Sequence, residues 1–234
     1  MNLRRFALIA SMLVPWGALW AAPGAALARE RPVVLELFTS QGCSSCPPAE
    51  KLLGEYAGRA DVLPLGFHVT YWNRLGWRDT FSFEGATQRQ AAYETRLGSG
   101  TPFTPQMVID GRISAIGSRR DEVAAAIRTA SAEREGDVEV ALSRSGGGVA
   151  IRVGAGRGPA EILLVGFDRE RTTPVGRGEN GGRTITQSNV VRSLRSLGPW
   201  TGRPVERSEA APEGQDAAVI LQAPDGRILG AARL

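Results

Sequence analysis

LFTSQGCSSCPPAEKLL (Leu37–Leu53) holds both cysteines of a 234-residue chain, two serines apart and followed at once by two prolines. Upstream, PVVLELF (Pro32–Phe38) is an apolar run of strand length. Downstream, Ala49, Leu52, Leu53 and Tyr56 recur at helical spacing, which predicts a helix from Pro48 to Tyr56. Cys43 thus follows a strand end by a short loop, and Cys46 enters the first turn of a helix. Proline is tolerated there because its missing N–H would have no intrahelical partner anyway. A thiol at a helix N-terminus faces the positive end of the macrodipole and unpaired N–H groups, which favour the thiolate. The thiolate is the attacking species in disulfide exchange, so Cys43 is a candidate nucleophile and Cys46 its resolving partner. The same thiols could instead form a structural staple or clip a metal ion.

The neighbouring patterns extend this unit. VLPLGFHV (Val62–Val69) reads as a second strand, and Phe83–Leu97 as a helix turning on Ala86, Gln90, Tyr93 and Leu97. QMVIDGRISAIG (Gln106–Gly117) reads as a hairpin folded at Asp110-Gly111, a strong two-residue turn signal. Asp121–Ala132 closes the series as a helix with Val123, Ala126, Ile127 and Ala130 on its apolar face. The order β-α-β-α-β-β-α is that of an α/β thioredoxin-like sheet with helices on both faces. After Gly136 the pattern changes to period-two strands with glycine-rich turns, expected at 138–142, 149–153, 162–167, 218–221 and 228–232. Asn189–Leu197 is ambiguous, since Val191, Leu194 and Leu197 also fit a helix. The expected organisation is a signal peptide at 1–28, a thioredoxin-like domain at 29–134 and a small β-rich, sandwich-like domain at 135–234.

The N-terminus sets the compartment. Arg4 and Arg5 precede an uncharged apolar run from Phe6 to Leu27 that closes with Ala26-Leu27-Ala28, the small-x-small pattern of signal-peptidase cleavage. Pro15, Pro23 and the Ala/Gly-rich end favour cleavage after Ala28 over a retained anchor. The mature chain is therefore expected to be periplasmic or secreted, without a membrane segment, where disulfides persist. Loss of Arg4 and Arg5 lowers the formal charge from +4 to +2. The remaining basic residues are scattered, with no run that would track phosphates, so nucleic acid is not an expected partner.

A second element points to the same chemistry. Thr101-Pro102-Phe103-Thr104-Pro105 precedes the strand that begins at Gln106. In thioredoxin-like folds a cis-proline opens the third strand and lies against the disulfide, and Pro105 occupies that place. Taken together, ELFTSQGCSSCPPAE, FHVTYWNRLGWRDTFS, TPFTPQMVIDGR and GRGENGGRT resemble a family of bacterial exported proteins catalogued as domain of unknown function 1223. The resemblance implies a thioredoxin-like N-terminal half and a β-rich C-terminal half, and leaves the activity open. Thioredoxins proper carry a tryptophan before the motif and Gly-Pro inside it, and both are missing here. Thr104 before the proline instead resembles periplasmic disulfide isomerases.

His68, the only histidine, ends the second strand. It reads equally as a core residue and as a neighbour of the cysteines that tunes the thiolate or joins a metal site. Trp72 and Gln41 are further candidates to line the site. Tyr71, Trp72 and Trp77 are expected to pack an insertion over the sheet, and Asp79 and Glu84 to be solvated residues at a helix entry, Asp79 as a cap. GRGENGGRTITQSN (Gly176–Asn189) is read as a connection in the sandwich, with docking over the cysteine face as the alternative.

Three functions compete. In the first, an exported thiol–disulfide oxidoreductase, Cys43 exchanges with protein thiols or disulfides, Cys46 resolves, and Thr104 and Pro105 guide an extended substrate; no cofactor is needed. In the second, Cys43, Cys46 and His68 handle a soft ion such as Cu(I), although three ligands are thin for a closed zinc site. In the third, the disulfide is a structural staple in a binding protein; so short a loop gives the staple little entropic value. The first reading is preferred, with no resident metal.

Overall fold

A computed structural model describes residues 31–98 and 100–234; the expected signal segment and its cleavage point after Ala28 lie outside the described residues. The cysteine stretch sits between strand β1 (Val33–Thr39) and helix α1 (Pro47–Ala57). Strand β2 (Val62–His68), a 3₁₀ turn (Tyr71–Arg74) and helix α2 (Glu84–Leu97) follow. The hairpin β3 (Gln106–Ile109) and β4 (Ile113–Ile116) leads into α3 (Arg120–Ala132). Each of these except the 3₁₀ turn matches a residue pattern that predicts it. The hairpin turns as expected at Asp110 and Gly111, both left-handed, with φ of 53° and 68°.

Seven strands then follow: β5 (Val140–Ser145), β6 (Gly148–Val153), β7 (Ala160–Pro174), β8 (Thr184–Trp200), β9 (Val205–Ala210), β10 (Asp216–Gln222) and β11 (Ile228–Arg233). Four of them extend the first sheet rather than forming a body of their own. The main sheet has eight strands in the order β11-β10-β7-β8-β2-β1-β3-β4, and a second sheet has three, β5-β6-β9. β1 and β2 are parallel, in register from Val33–Val62 to Thr39–His68, while β3 runs antiparallel to β1. The junction between the halves is the parallel pair β2–β8, whose ladder is a single register pair, Gly66–Val190. Pro64 brings no N–H to β2, and its carbonyl accepts the Asn189 side-chain amide at 2.7 Å.

One face of the main sheet buries Val34, Phe38, Leu65 and Phe67 with Val165, Val191 and Ile220 beneath α2. The other face is covered in two parts. α1 and α3 cover Leu35, Leu37, Met107 and Ile109. The three-stranded sheet covers Ile162, Leu164, Val219 and Leu221 with Val149, Ile151 and Val153, and Trp200 at the end of β8 joins this cluster. A buried polar knot joins the halves on the α2 side. The Arg89 guanidinium donates to both Glu36 oxygens, to Tyr93 OH at 3.0 Å and to Gln222 Oε1 at 3.1 Å. Neither charge is left unpaired in the core, as burial of ions requires.

The ambiguous segment Asn189–Leu197 is strand, since β8 runs for 17 residues across it, and β9, which no residue pattern predicts, carries no apolar period that would reveal it. Among the described residues no helix is long and apolar enough to cross a membrane.

Candidate functional site

Ser40 O accepts the Cys43 amide at 3.1 Å, and Cys43 O accepts the Cys46 amide at 3.2 Å, so two successive turns deliver Cys46 to the N-cap of α1. Its backbone is already helical there (φ −79°, ψ −35°), with Pro47 and Pro48 as the first helical residues. Cys43 and Cys46 are disulfide-bonded across a Cα separation of 5.4 Å. Both cysteines are buried, whereas Ser44 and Ser45 between them are exposed.

Thr104-Pro105 flanks this turn. The Thr104–Pro105 peptide bond is cis. Pro105 lines the same pinch as Ala49 of α1: a Cβ on Gly117 would lie 3.2 Å from the Ala49 Cβ and 3.4 Å from the Pro105 Cβ. Trp72 connects the two segments, with its indole N–H donating to Thr104 Oγ1 at 2.8 Å and its Cβ packed over Gly42. Tyr71 and Trp72 also rest on the core beneath α2, as expected of an insertion over the sheet.

Beneath the disulfide turn lies a buried polar cluster. Gln41 is its hub. Its side-chain oxygen accepts from the Trp77 indole at 3.0 Å and from Thr80 N at 3.2 Å, and its Nε2 donates toward Thr80, Thr173 and Gln187. His68 stands opposite Thr39 in the β1–β2 register and is fully buried. In the neutral ring Nδ1–H donates to Asp79 Oδ2 at 2.7 Å, while Nε2 accepts from Gln187 at 3.3 Å. Glu50 faces the same space from α1: Thr39 Oγ1 donates to its Oε1 at 2.7 Å, and that oxygen is 3.9 Å from His68 Nε2.

Burial raises the Glu50 carboxyl above its ordinary range, against the opposing pull of His68 and Thr39. Burial alone would lower His68, but the Asp79 charge and hydrogen bond, with Glu50 behind them, outweigh it and raise the imidazole. Burial opposes ionisation of Asp79 too, yet His68 and the Gln41 and Phe81 amides hold its pKa down. Asp79 is therefore a buried partner of His68, not a solvated residue. Nor does it cap α2, whose N-cap is Phe83; its carboxylate accepts Phe81 N at 2.9 Å and Gln41 N at 2.7 Å. Glu84 is exposed as expected.

The glycine-rich segment takes the docking alternative. Its tip, at residues 176–183 between β7 and β8, folds over the cysteine turn. Fully buried Asn180 donates through Nδ2 to Gln41 O at 3.0 Å and Cys43 O at 2.8 Å. Glu179 Oε2 accepts the Ser44 amide at 2.9 Å, which lowers the pKa of that exposed carboxylate.

The structure thus gathers Gln41, Cys43, Cys46, His68, Trp72, Thr104 and Pro105 around one turn. The sequence reading names Asp79 as a solvated residue and Gly176–Asn189 only as a segment, without assigning Glu179, Asn180 or Gln187 to the site, and it passes over Glu50. Only Glu50 carried a signal: it is an acid on the stripe Cys46, Ala49, Glu50, Leu53 that α1 buries. Among the described residues no three His, Cys, Asp or Glu side chains are grouped to hold a metal ion.

Residues 34–222 match the family model described as Protein of unknown function (DUF1223). The chain belongs to the DUF1223 family. It is similar to the crystal structure of protein AGR_C_4864 from Agrobacterium tumefaciens, at 33% identity and a TM-score of 0.78, over 88% of this chain and 96% of that one. HBP35 of Porphyromonas gingivalis shares the fold at 13% identity and a TM-score of 0.58, over 87% of this chain and 74% of that one. No curated protein matches the chain.

Proposed function

We propose that this DUF1223 protein is an exported thiol–disulfide oxidoreductase acting through Cys43 and Cys46. The observation that carries the reading is the disulfide at the N-cap of α1, where the helix terminus favours a thiolate once the bond opens. The order β2-β1-β3-β4, with β2 parallel and β3 antiparallel to β1 and helices on both faces, supports a thioredoxin-like unit around that bond. Export through residues 1–28 fits the chemistry, since an oxidising compartment maintains such a bond.

Cys43 is the attacking thiolate in this reading. When the pair is reduced, Cys43 attacks a partner's disulfide and displaces one partner sulfur as a thiol. Cys46 then attacks Cys43 Sγ, re-forming the Cys43–Cys46 bond and releasing the other partner sulfur as a thiol. When the pair is oxidised, a partner's thiolate attacks Cys43 Sγ and displaces the Cys46 thiolate. Thr104 and Pro105, beside the turn, receive the extended segment that carries the partner's sulfur.

A second reading has an observation of its own. Both cysteines are buried beneath the Asn180 loop, as a redox-silent staple would be. The reduction potential of the pair separates the two, measured by alkylation after equilibration in glutathione buffers. A value between about −120 and −270 mV is that of a catalytic dithiol, and one below about −300 mV is that of a structural bond and rejects the proposal. In the first case Cys46→Ser accumulates mixed disulfides at Cys43.

A further inference from the structure

Most arginines of this fold are held by an acid, even on the open surface, as in Arg59–Asp61, Arg120–Glu55 and Arg152–Glu206. Those beside the cysteine turn are not. Two loops frame the exposed pair Ser44-Ser45: residues 72–78, after β2, and residues 176–183, between β7 and β8. The loops abut each other, since a Cβ on Gly178 would lie 3.1 Å from the Trp77 Cβ. Both reach the turn, Trp77 through Gln41 and Glu179 through the Ser44 amide.

Together they carry Arg74, Arg78, Arg177 and Arg183 against a single acid, Glu179. That is a formal +3, more than the +2 of residues 29–234 taken together. All four arginines are exposed. Arg183 donates to Asn180 Oδ1 at 3.1 Å, but Arg74, Arg78 and Arg177 have no partner among the described residues. Like charges held close repel and weaken the compact state, so such a group calls for a partner outside the chain. Leu75 stands among them at 52% exposure, the one large hydrophobic side chain exposed among the described residues. The third segment at the turn, Thr101–Pro105, carries no charge.

We propose that the surface around Ser44-Ser45 takes an acidic protein segment. Its cysteine meets Cys43, carboxylates close to that cysteine face Arg74, Arg78 and Arg177, and an apolar side chain rests on Leu75. The inference rests on the thiol–disulfide reading above and names the class of partner that reading leaves open. Arginine suits carboxylates because its planar fork gives two parallel N–H···O bonds. A protein segment fits better than an anionic membrane, because the patch surrounds a disulfide whose chemistry requires a partner sulfur. Charges on such a rim act mainly on the rate of association and on the choice of partner.

Peptides joined through their cysteine to 4-thiopyridone test this on the reduced protein in stopped flow. The Cys43 thiolate attacks the peptide sulfur and displaces thiopyridone, which is read by its absorbance. Cys46 then attacks Cys43 Sγ and releases the peptide thiol. The protein is oxidised by two electrons and the mixed disulfide becomes two thiols. An acidic, a neutral and a basic peptide share one sequence and differ only in glutamate, glutamine or lysine around the cysteine.

The acidic peptide is expected to react about 10-fold faster than the basic one at low ionic strength, within the range of electrostatic steering. The ratio should fall toward unity at about 1 M salt, where charges are screened within about 3 Å. It should also fall toward unity in the combined variant Arg74→Ala, Arg78→Ala, Arg177→Ala, and survive when the same three residues become lysine. Comparing ratios between proteins removes the peptides' own reactivity. Equal rates for the three peptides, an acidic preference that the alanine variant keeps, or one that the lysine variant loses overturns the inference. Charge-blind exchange together with arginine-dependent sedimentation on phosphatidylglycerol vesicles would assign the patch to a membrane instead. Wild-type protein that releases thiopyridone no faster than Cys43→Ser with any peptide rejects the thiol–disulfide reading itself.

Discussion

Asn180 donates its side-chain amide to the carbonyl of Cys43 at 2.8 Å across 137 residues of chain, and the same nitrogen satisfies Gln41 O at 3.0 Å. One buried side chain therefore fastens the β7–β8 loop to the cysteine turn. Asn180→Ala leaves two carbonyls short of a donor under a loop that no longer covers them, at a cost of about 1–3 kcal/mol. The stability loss should appear in urea unfolding. The loop is also the cover of the disulfide, so the same variant should let a phosphine reduce Cys43–Cys46 faster than in the wild type under native conditions. An unchanged reduction rate would place the barrier to access elsewhere, in Trp72 or in the turn itself.

The Arg89–Glu36 pair is a stability element of a different kind. It lies in the core beneath α2, with Tyr93 and Gln222 completing its hydrogen bonds. Removing one partner strands a charge, so Arg89→Met is expected to cost about 3–5 kcal/mol. The double variant Arg89→Met, Glu36→Leu removes both charges and should be more stable than Arg89→Met alone. A double-mutant cycle by urea denaturation reads this directly; a double variant no better than the single one would mean that the shape of the knot matters more than its charges.

The N-terminal half was legible because each element has a period that survives folding. Val123, Ala126, Ile127 and Ala130 predict the face of α3 that the sheet buries, and Asp110-Gly111 predicts the left-handed turn of the hairpin. β8 was ambiguous for a physical reason. Val191 pairs with Phe167 and Ser193 with Gly166, so a bulge adds one residue between them, and Val191 and Leu194 reach the same core three positions apart. Leu197, three further on, packs on the opposite face. A helical spacing therefore arose from a bulged strand whose hydrophobics serve two layers. The site was half legible. Cysteines and prolines announce themselves by type, but Asp79, Asn180 and Gln187 reach the site through partners 11 to 139 residues away, which no local pattern records.

The contact between the two hairpin tips gives a steric test. Gly111 has φ 68°, and a Cβ there would collide with the carbonyl oxygen of Gly226 in the turn between β10 and β11. Gly98, at the C-cap of α2, has a similar φ of 62° but open space around it. Gly98→Ala pays only for a left-handed alanine, about 1–2 kcal/mol. Gly111→Ala bears the same strain and must also push the turns apart, where Asp110 O accepts the Ile228 amide at 3.2 Å. Its loss of stability should exceed that of Gly98→Ala in parallel thermal melts. Equal losses would show that the β10–β11 turn yields without cost.

The charges beneath the cysteine turn give the protein a pH-dependent stability whose sign follows from the three shifts. His68 has a raised pKa, so its contribution is present in full below its ordinary value of 6.5 and is lost as the pH rises through the higher folded value. Glu50 is raised as well, so above its ordinary 4.5 the folded state holds a proton that the unfolded chain has released, and stability again declines with rising pH. Asp79 is lowered, so its contribution is present above 3.8 and is lost as the pH falls through its folded value. These groups therefore favour mildly acidic conditions. His68→Asn keeps a donor toward Asp79 but cannot hold the proton, so the decline above pH 6.5 that belongs to the imidazole should flatten. Urea midpoints of the wild type and the variant from pH 4 to 9 test this. Two curves that stay parallel above pH 6.5 would mean that His68 is neutral throughout, serving only as a hydrogen-bonded strut between Asp79 and Gln187.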